Sequence, residues 1–273
     1  MSILRRILGS LEARLSQPKV SLWRTVYFNF RTLPFRQAVK FPVYIYSGHK
    51  LFILAGKVLI NGPISRGMIK IGKNTESFSL CDHSGFIQIN DGCTLTFNGP
   101  AKLGVNTKLR LVSSEVTFGK NVFIGTGVRI IANGSYIKIG EGSRIAFETV
   151  IMNSSFHFTY NATKGGYSQM TNPIIIGDFN WIGNRSSISG NAHTKDFTIV
   201  CAGSLVNKNF TSQEGEYPML GGQPAKLITC GIKRVFSAKV HEQVSRWFYK
   251  NPGSKFWETQ EIFDNLKEVE KEF

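Results

Sequence analysis

Five histidines, at positions 49, 83, 157, 193 and 241, are the side chains best suited to carry a proton near neutral pH, because free imidazole titrates there. One of them stands where a regular pattern stops. An aliphatic residue recurs every six positions up to Ile151, vanishes through "MNSSFHFTYNATKGGYSQMTNP", and returns at Ile176 with its spacing unchanged. His157 opens the interruption. A loop of about residues 157–173 inside a compact repeat is usually functional. An imidazole placed there is suited to removing a hydroxyl proton as the oxygen attacks an electrophile. Asn153, four residues earlier, either points its amide at a reacting carbonyl or caps a turn. The other histidines are weaker candidates. His83 and His193 fall on faces of the repeat, His49 precedes its clear part, and His241 lies in a tail of different character.

The rhythm that must position His157 runs through Ile176, Ile182, Ile188, Val200 and Val206, with Thr194 filling one slot weakly. Upstream it appears as Phe118, Ile124 and Ile130, as Ile139, Ile145 and Ile151, and in the pairs Ile89/Leu95 and Leu103/Leu109. Six fits neither a helix nor a plain strand. It does fit one short strand plus a corner, with one aliphatic side chain pointing inward. Three such units close a triangular coil, and the small residues of "IGTG", "IGEG", "IGDF" and "IGNR" suit its tight corners. The pattern predicts an all-β solenoid, a parallel β-helix of hexapeptide repeats over residues 46–230. Short insertions between the upstream blocks predict early coils less regular than the late ones.

The composition agrees. Of 273 residues, 42% are hydrophobic, 19% are charged and 27 are glycine, as a β-rich globular chain requires. No apolar run is long enough to cross a bilayer, and charge interrupts "ILRRILGSLEARL" too often for a secretory signal. The chain therefore reads as cytoplasmic. Cys81, Cys93, Cys201 and Cys230 have no C-x-x-C spacing, so neither zinc nor disulfides are expected and no metal ligand is assigned. The net charge of +15 comes without any nucleic-acid-binding signature, and no nucleic-acid partner is expected.

Much of that charge is local. Residues 1–40 carry eight basic residues against Glu12 alone. Leu4, Leu8, Leu11 and Leu15 share a helical face, and "LWRTVYFNFRTLPF" follows with aromatic and cationic residues interleaved. This extension, residues 1–45, either caps the open end of the solenoid or lies on the anionic inner face of a membrane. Residues 231–273 lose the repeat and read as helices, with Ile262, Leu266 and Val269 on one face.

At "IIIGDFNWIGNRSSISG", "CAGSLVNKNF" and "LGGQPAKLI" the chain resembles the hexapeptide-repeat acyltransferases, in particular the sugar O-acetyltransferases of the galactoside and maltose type. The resemblance covers residues 118–230, and "YFNFRTLPF" is similar to acyltransferases of capsule and cell-surface glycan assembly. It implies a left-handed coil, a closed homotrimer with sites between subunits, and acetyl-coenzyme A as co-substrate. It also implies His157 as general base in a direct transfer to a sugar hydroxyl. Ala202, Gly203 and Ser204 match the coil that contacts pantetheine, where small residues admit an extended arm. Lys208 and Lys226 stand where a flexible cation would meet nucleotide phosphates. Trp181 offers a ring face to the acceptor sugar, or merely fills a corner. Two departures stand out: Gly125 and Thr126 replace the asparagine found one coil before the histidine, and "QEGEYPML" is longer than the usual link.

Two rival functions share this reading. One is an N-acetyltransferase of a nucleotide-linked amino sugar, and the other is a non-catalytic solenoid that binds glycan or scaffolds a complex.

Overall fold

The computed structural model describes residues 17–74 and 84–259. Parallel strands form three sheets, and the chain visits the three in rotation, so each circuit is one coil of a triangular prism. The expected hexapeptide-repeat, left-handed β-helix is the fold observed.

The first face stacks Ile45, Ile71, Leu103, Ile124, Ile145, Ile182, Val200 and Leu220 in register. The second stacks Ile87, Leu109, Ile130, Ile151, Ile188 and Val206. The third stacks Ile60, Phe97, Phe118, Ile139 and Ile176. All of these are buried in one continuous core. Within it Phe97 and Phe118 lie as stacked rings with centroids 5.2 Å apart. Thr194, the weak slot, is buried as well, and its Oγ1 accepts from the Gly177 N–H at 3.1 Å.

Regularity increases along the chain as expected. A coil late in the prism takes 18 residues, three hexads, as from Asp178 to Asp196. The coil that carries the interruption takes 37, as from Glu148 to Arg185. Among the early coils, successive slots on the first face run from Ile45 to Ile71 to Leu103, wider than three hexads.

His49 lies within the expected solenoid span, ahead of its regular coils. It begins the strand His49–Leu54 in the first coil, opposite Gly85, and is buried. A Cβ at Gly72 would lie 2.3 Å from its Nδ1 and one at Gly85 would lie 2.5 Å from its Nε2, so the ring occupies space that only glycines leave open.

The open end of the prism is closed by helix α1, Leu22–Thr32. Thr25 and Asn29, one turn apart, face the unpaired edge of the strand Val43–Ile45 and act as its missing neighbour. The Asn29 amide donates to the Thr25 and Val43 carbonyls, both at 2.7 Å, and its Oδ1 accepts from the Val43 N–H at 3.2 Å. Thr25 Oγ1 accepts from the Ile45 N–H at 3.0 Å. Phe28 between them is fully buried. A buried edge without such partners would leave amides desolvated and unpaired. Asn29→Ala should therefore lower unfolding free energy by about 2 kcal/mol, the range for stranding buried partners. Urea denaturation checks this, and a loss within error would mean that water replaces the amide. The leucines at 4, 8, 11 and 15 lie outside the described residues.

At the far end the last parallel strand, Met219–Gly222, turns back into the antiparallel strand Ala225–Thr229. The chain then runs along the corner formed by Phe179, Phe197 and Tyr217, where Lys233 lies over two of the rings, before helix α2, Ala238–Lys250. The face predicted at Ile262, Leu266 and Val269 lies outside the described residues, as do Cys81 and His83. No described helix is long and apolar enough to span a membrane.

Candidate functional site

The interruption is a β-hairpin that leaves the prism at the edge between the second and third faces. It departs after the strand Val150–Met152 and rejoins at Ile174–Ile176. The Asn172 N–H donates to the Asn153 carbonyl at 3.0 Å and Ser154 bridges Thr171, which pinches the stem. The arms Thr159–Asn161 and Gly166–Ser168 pair antiparallel, with Tyr160 and Tyr167 in ring contact across them at 5.1 Å. The excursion thus begins at Asn153 rather than at His157.

His157 lies between stem and arms. The Phe156 N–H donates to Ser154 Oγ at 3.0 Å, and Ser155 Oγ donates to the His157 carbonyl at 2.9 Å. Phe156 takes φ +60°, so the chain turns sharply just before the histidine. These two serines fix the backbone while the His157 side chain stays exposed. Nothing in the sequence singled them out beyond their being adjacent small hydroxyl residues, which form local turns readily. No carboxylate meets the His157 imidazole among the described residues.

Asn153 is 1% exposed, its Oδ1 taking the Asn133 N–H at 2.8 Å. It joins two coils inside the corner. Its Nδ2 has no partner there, but burial withholds that group from an acceptor standing on the open edge. Lys208 is exposed on the same edge two coils further on, with Nζ 5.1 Å from the Phe210 ring centroid.

Ala202, Gly203 and Ser204 form the edge between the first and second faces, a full face away from His157. A column of small residues runs along it. Gly104, Gly125 and Gly183 each meet the next coil so closely that a Cβ would fall within 2.8 Å of its backbone. Backbone stacking by itself dictates those glycines. Ala202 is exposed, and a Cβ at Gly203 would meet nothing within 4 Å, so the edge is open to an extended ligand here. Ser204 is the inward member of this corner. It is buried, its Oγ donating to the Cys201 carbonyl at 2.7 Å and accepting from the Gly222 N–H at 3.3 Å. Lys226 is exposed on the final strand opposite Gly221, beside this edge.

Trp181 sits on the outer side of the first face, between Arg144 and Ile199 in register. It is half-exposed, and the Arg234 guanidinium lies 5.6 Å from its ring centroid. That face is opposite the edge carrying His157, so the protomer does not bring the two together. His193 stands on the third face between Ile175 and Asn209, its Nε2 buried without a partner. Among the described residues no three His, Cys, Asp or Glu side chains cluster as a metal site would need.

No family model matches the chain. A probable macrolide acetyltransferase of Lysinibacillus sphaericus is 26% identical over 181 residues, covering 62% of this chain and 86% of that protein. The polySia specific acetyltransferase NeuO shares the fold, with a TM-score of 0.53 at 16% identity over 78% of this chain and 84% of that one. AntD, an N-acyltransferase from Bacillus cereus, aligns with a TM-score of 0.39 at 14% identity over 77% and 88% of the two chains.

Proposed function

We propose that the protein moves the acetyl group of acetyl-coenzyme A directly to a hydroxyl of a sugar or glycan, with His157 as the general base. That it is an acyltransferase stands on the sequence relative and the shared fold together. The finer reading is carried by one observation: a pinned hairpin breaks the regular part of the repeat, and an exposed imidazole stands at its base. His157 takes the hydroxyl proton as the oxygen attacks the thioester carbonyl carbon. The carbon–sulfur bond then breaks, and the departing thiolate takes the proton back from the imidazolium. Holding both substrates in line removes the need for a covalent enzyme intermediate.

The open edge at Ala202 and Gly203 suits the pantetheine arm, with Lys226 beside it for phosphate. Ser204 acts there by holding the corner in shape. Because this edge and the His157 edge lie a face apart, the arrangement favours a cyclic trimer in which one protomer's His157 edge meets a neighbour's Ala202 edge. Lys208 would then approach the donor from the catalytic side. Across such a contact Trp181 and the aromatic hairpin arms would line the acceptor. Asn153 supports the hairpin stem. Substituting Ala202→Trp should raise the KM for acetyl-coenzyme A on the order of tenfold with kcat little changed. An unaltered donor KM would move the pantetheine arm elsewhere.

The reading is tested by following free thiol release with acetyl-coenzyme A and a panel of neutral sugars, a nucleotide-linked amino sugar and a macrolide. Release with hydroxyl acceptors supports O-transfer. Release with the amino sugar alone favours N-transfer instead. No release together with no coenzyme A binding would leave a glycan-binding scaffold.

A further inference from the structure

We propose that the outer face of α1 docks the protein on an anionic lipid bilayer. The helix that closes the prism has three sectors, only one of which the fold uses. Thr25, Phe28 and Asn29 face the first coil. Trp23, Tyr27 and Phe30 follow one another at helical spacing on the opposite side, with Leu22 and Val26 on its flank, and all five are exposed. Leu22 is 78% and Trp23 75% exposed, values far beyond what a residue covered by its own fold would show. The stripe continues past the helix, because the Phe30 ring meets Phe35 at 6.1 Å and Phe35 is 72% exposed. A contiguous apolar surface of this kind marks a binding face.

Charge chooses the occupant. Residues 13–75 contain no aspartate or glutamate, while Lys19, Arg24, Arg31, Arg36, Lys40, Lys50, Lys57, Arg66, Lys70 and Lys73 all fall within them. Arg24 and Arg31 border the stripe on one side by helical spacing, and exposed Arg36 and Lys40 follow Phe35. Aromatic rings flanked by cations match the boundary between acyl chains and anionic headgroups, where each ring finds an apolar depth and each cation a phosphate. A second copy of this chain would meet the same positive field and be repelled.

Capping and docking are thus two faces of one helix. Co-sedimentation of the full chain with phosphatidylcholine vesicles, with and without phosphatidylglycerol, tests the proposal. The wild type should sediment with the anionic vesicles only and be released by high salt. Trp23→Ser with Phe35→Ser, and separately Arg31→Glu with Arg36→Glu, should each weaken binding by about tenfold or more. Thermal melting should be unchanged in both, since none of the four residues is buried. Binding equal to wild type in both variants would overturn the proposal, as would no vesicle binding at all. A change of oligomeric state in the variants without any vesicle binding would assign the stripe to a second copy.

Discussion

Replacing His157 by alanine is expected to abolish acceptor-dependent thiol release while leaving the donor KM and the melting temperature unchanged. Loss of a positioned general base costs about 10² to 10⁴ in rate. Melting should hold because the side chain is exposed and only its backbone is tied, through Ser154 and Ser155. Donor affinity should hold because the base acts on the acceptor hydroxyl and takes no part in holding the pantetheine arm or the phosphates. The informative comparison is His193→Ala. That imidazole lies on the third face between Ile175 and Asn209, with its Nε2 sealed from solvent, so it should keep turnover near wild type. If His193→Ala lost activity and His157→Ala kept it, the base would be misassigned and the hairpin would serve only as a wall.

What could be read without coordinates was whatever the six-residue period dictates. Each aliphatic slot from Phe118 to Val206 points inward because a strand and a corner of fixed length leave it no other direction, and even Thr194 obeys. The break at His157 was legible for the same reason, since an insertion cannot hide in a strict period. Partners distant in the chain were not legible. Nothing local to Trp181 indicates that Arg234 will cover it, and nothing in "AGS" distinguishes an open Ala202 from a Ser204 whose hydroxyl is spent on Cys201 and Gly222. The first coil was obscured because its spacing is stretched, so Val43–Ile45 reads as part of the extension over residues 1–45 although it pairs with the first face. Capping and membrane contact stand as alternatives for residues 1–45 in the sequence because a hydrophobic pattern counts apolar residues without saying which sector meets the fold.

His49 leads to the second large effect, a loss of stability in mild acid. Its ring is enclosed by the first two coils where Gly72 and Gly85 make room, and its Nε2 has no hydrogen-bond partner. Burial pushes its pKa down from 6.5 to about 4; a backbone hydrogen bond at Thr107 pulls the other way, and the Arg24 charge pushes it further down. A histidine whose pKa falls on folding binds fewer protons folded than unfolded. Its contribution is therefore fully present above pH 6.5 and is lost as pH falls toward 4. At 1.36 kcal/mol per unit the loss is about 3 kcal/mol, a large share of a domain's stability. Urea midpoints for wild type and His49→Gln between pH about 7 and about 4 would isolate it, since the carboxylates that also titrate there are common to both. The variant should start lower, because glutamine fills the ring's place poorly, and then lose less as the pH drops. Parallel profiles would mean that the imidazole reaches solvent when protonated, and that the two glycines leave it room to turn rather than enclosing it.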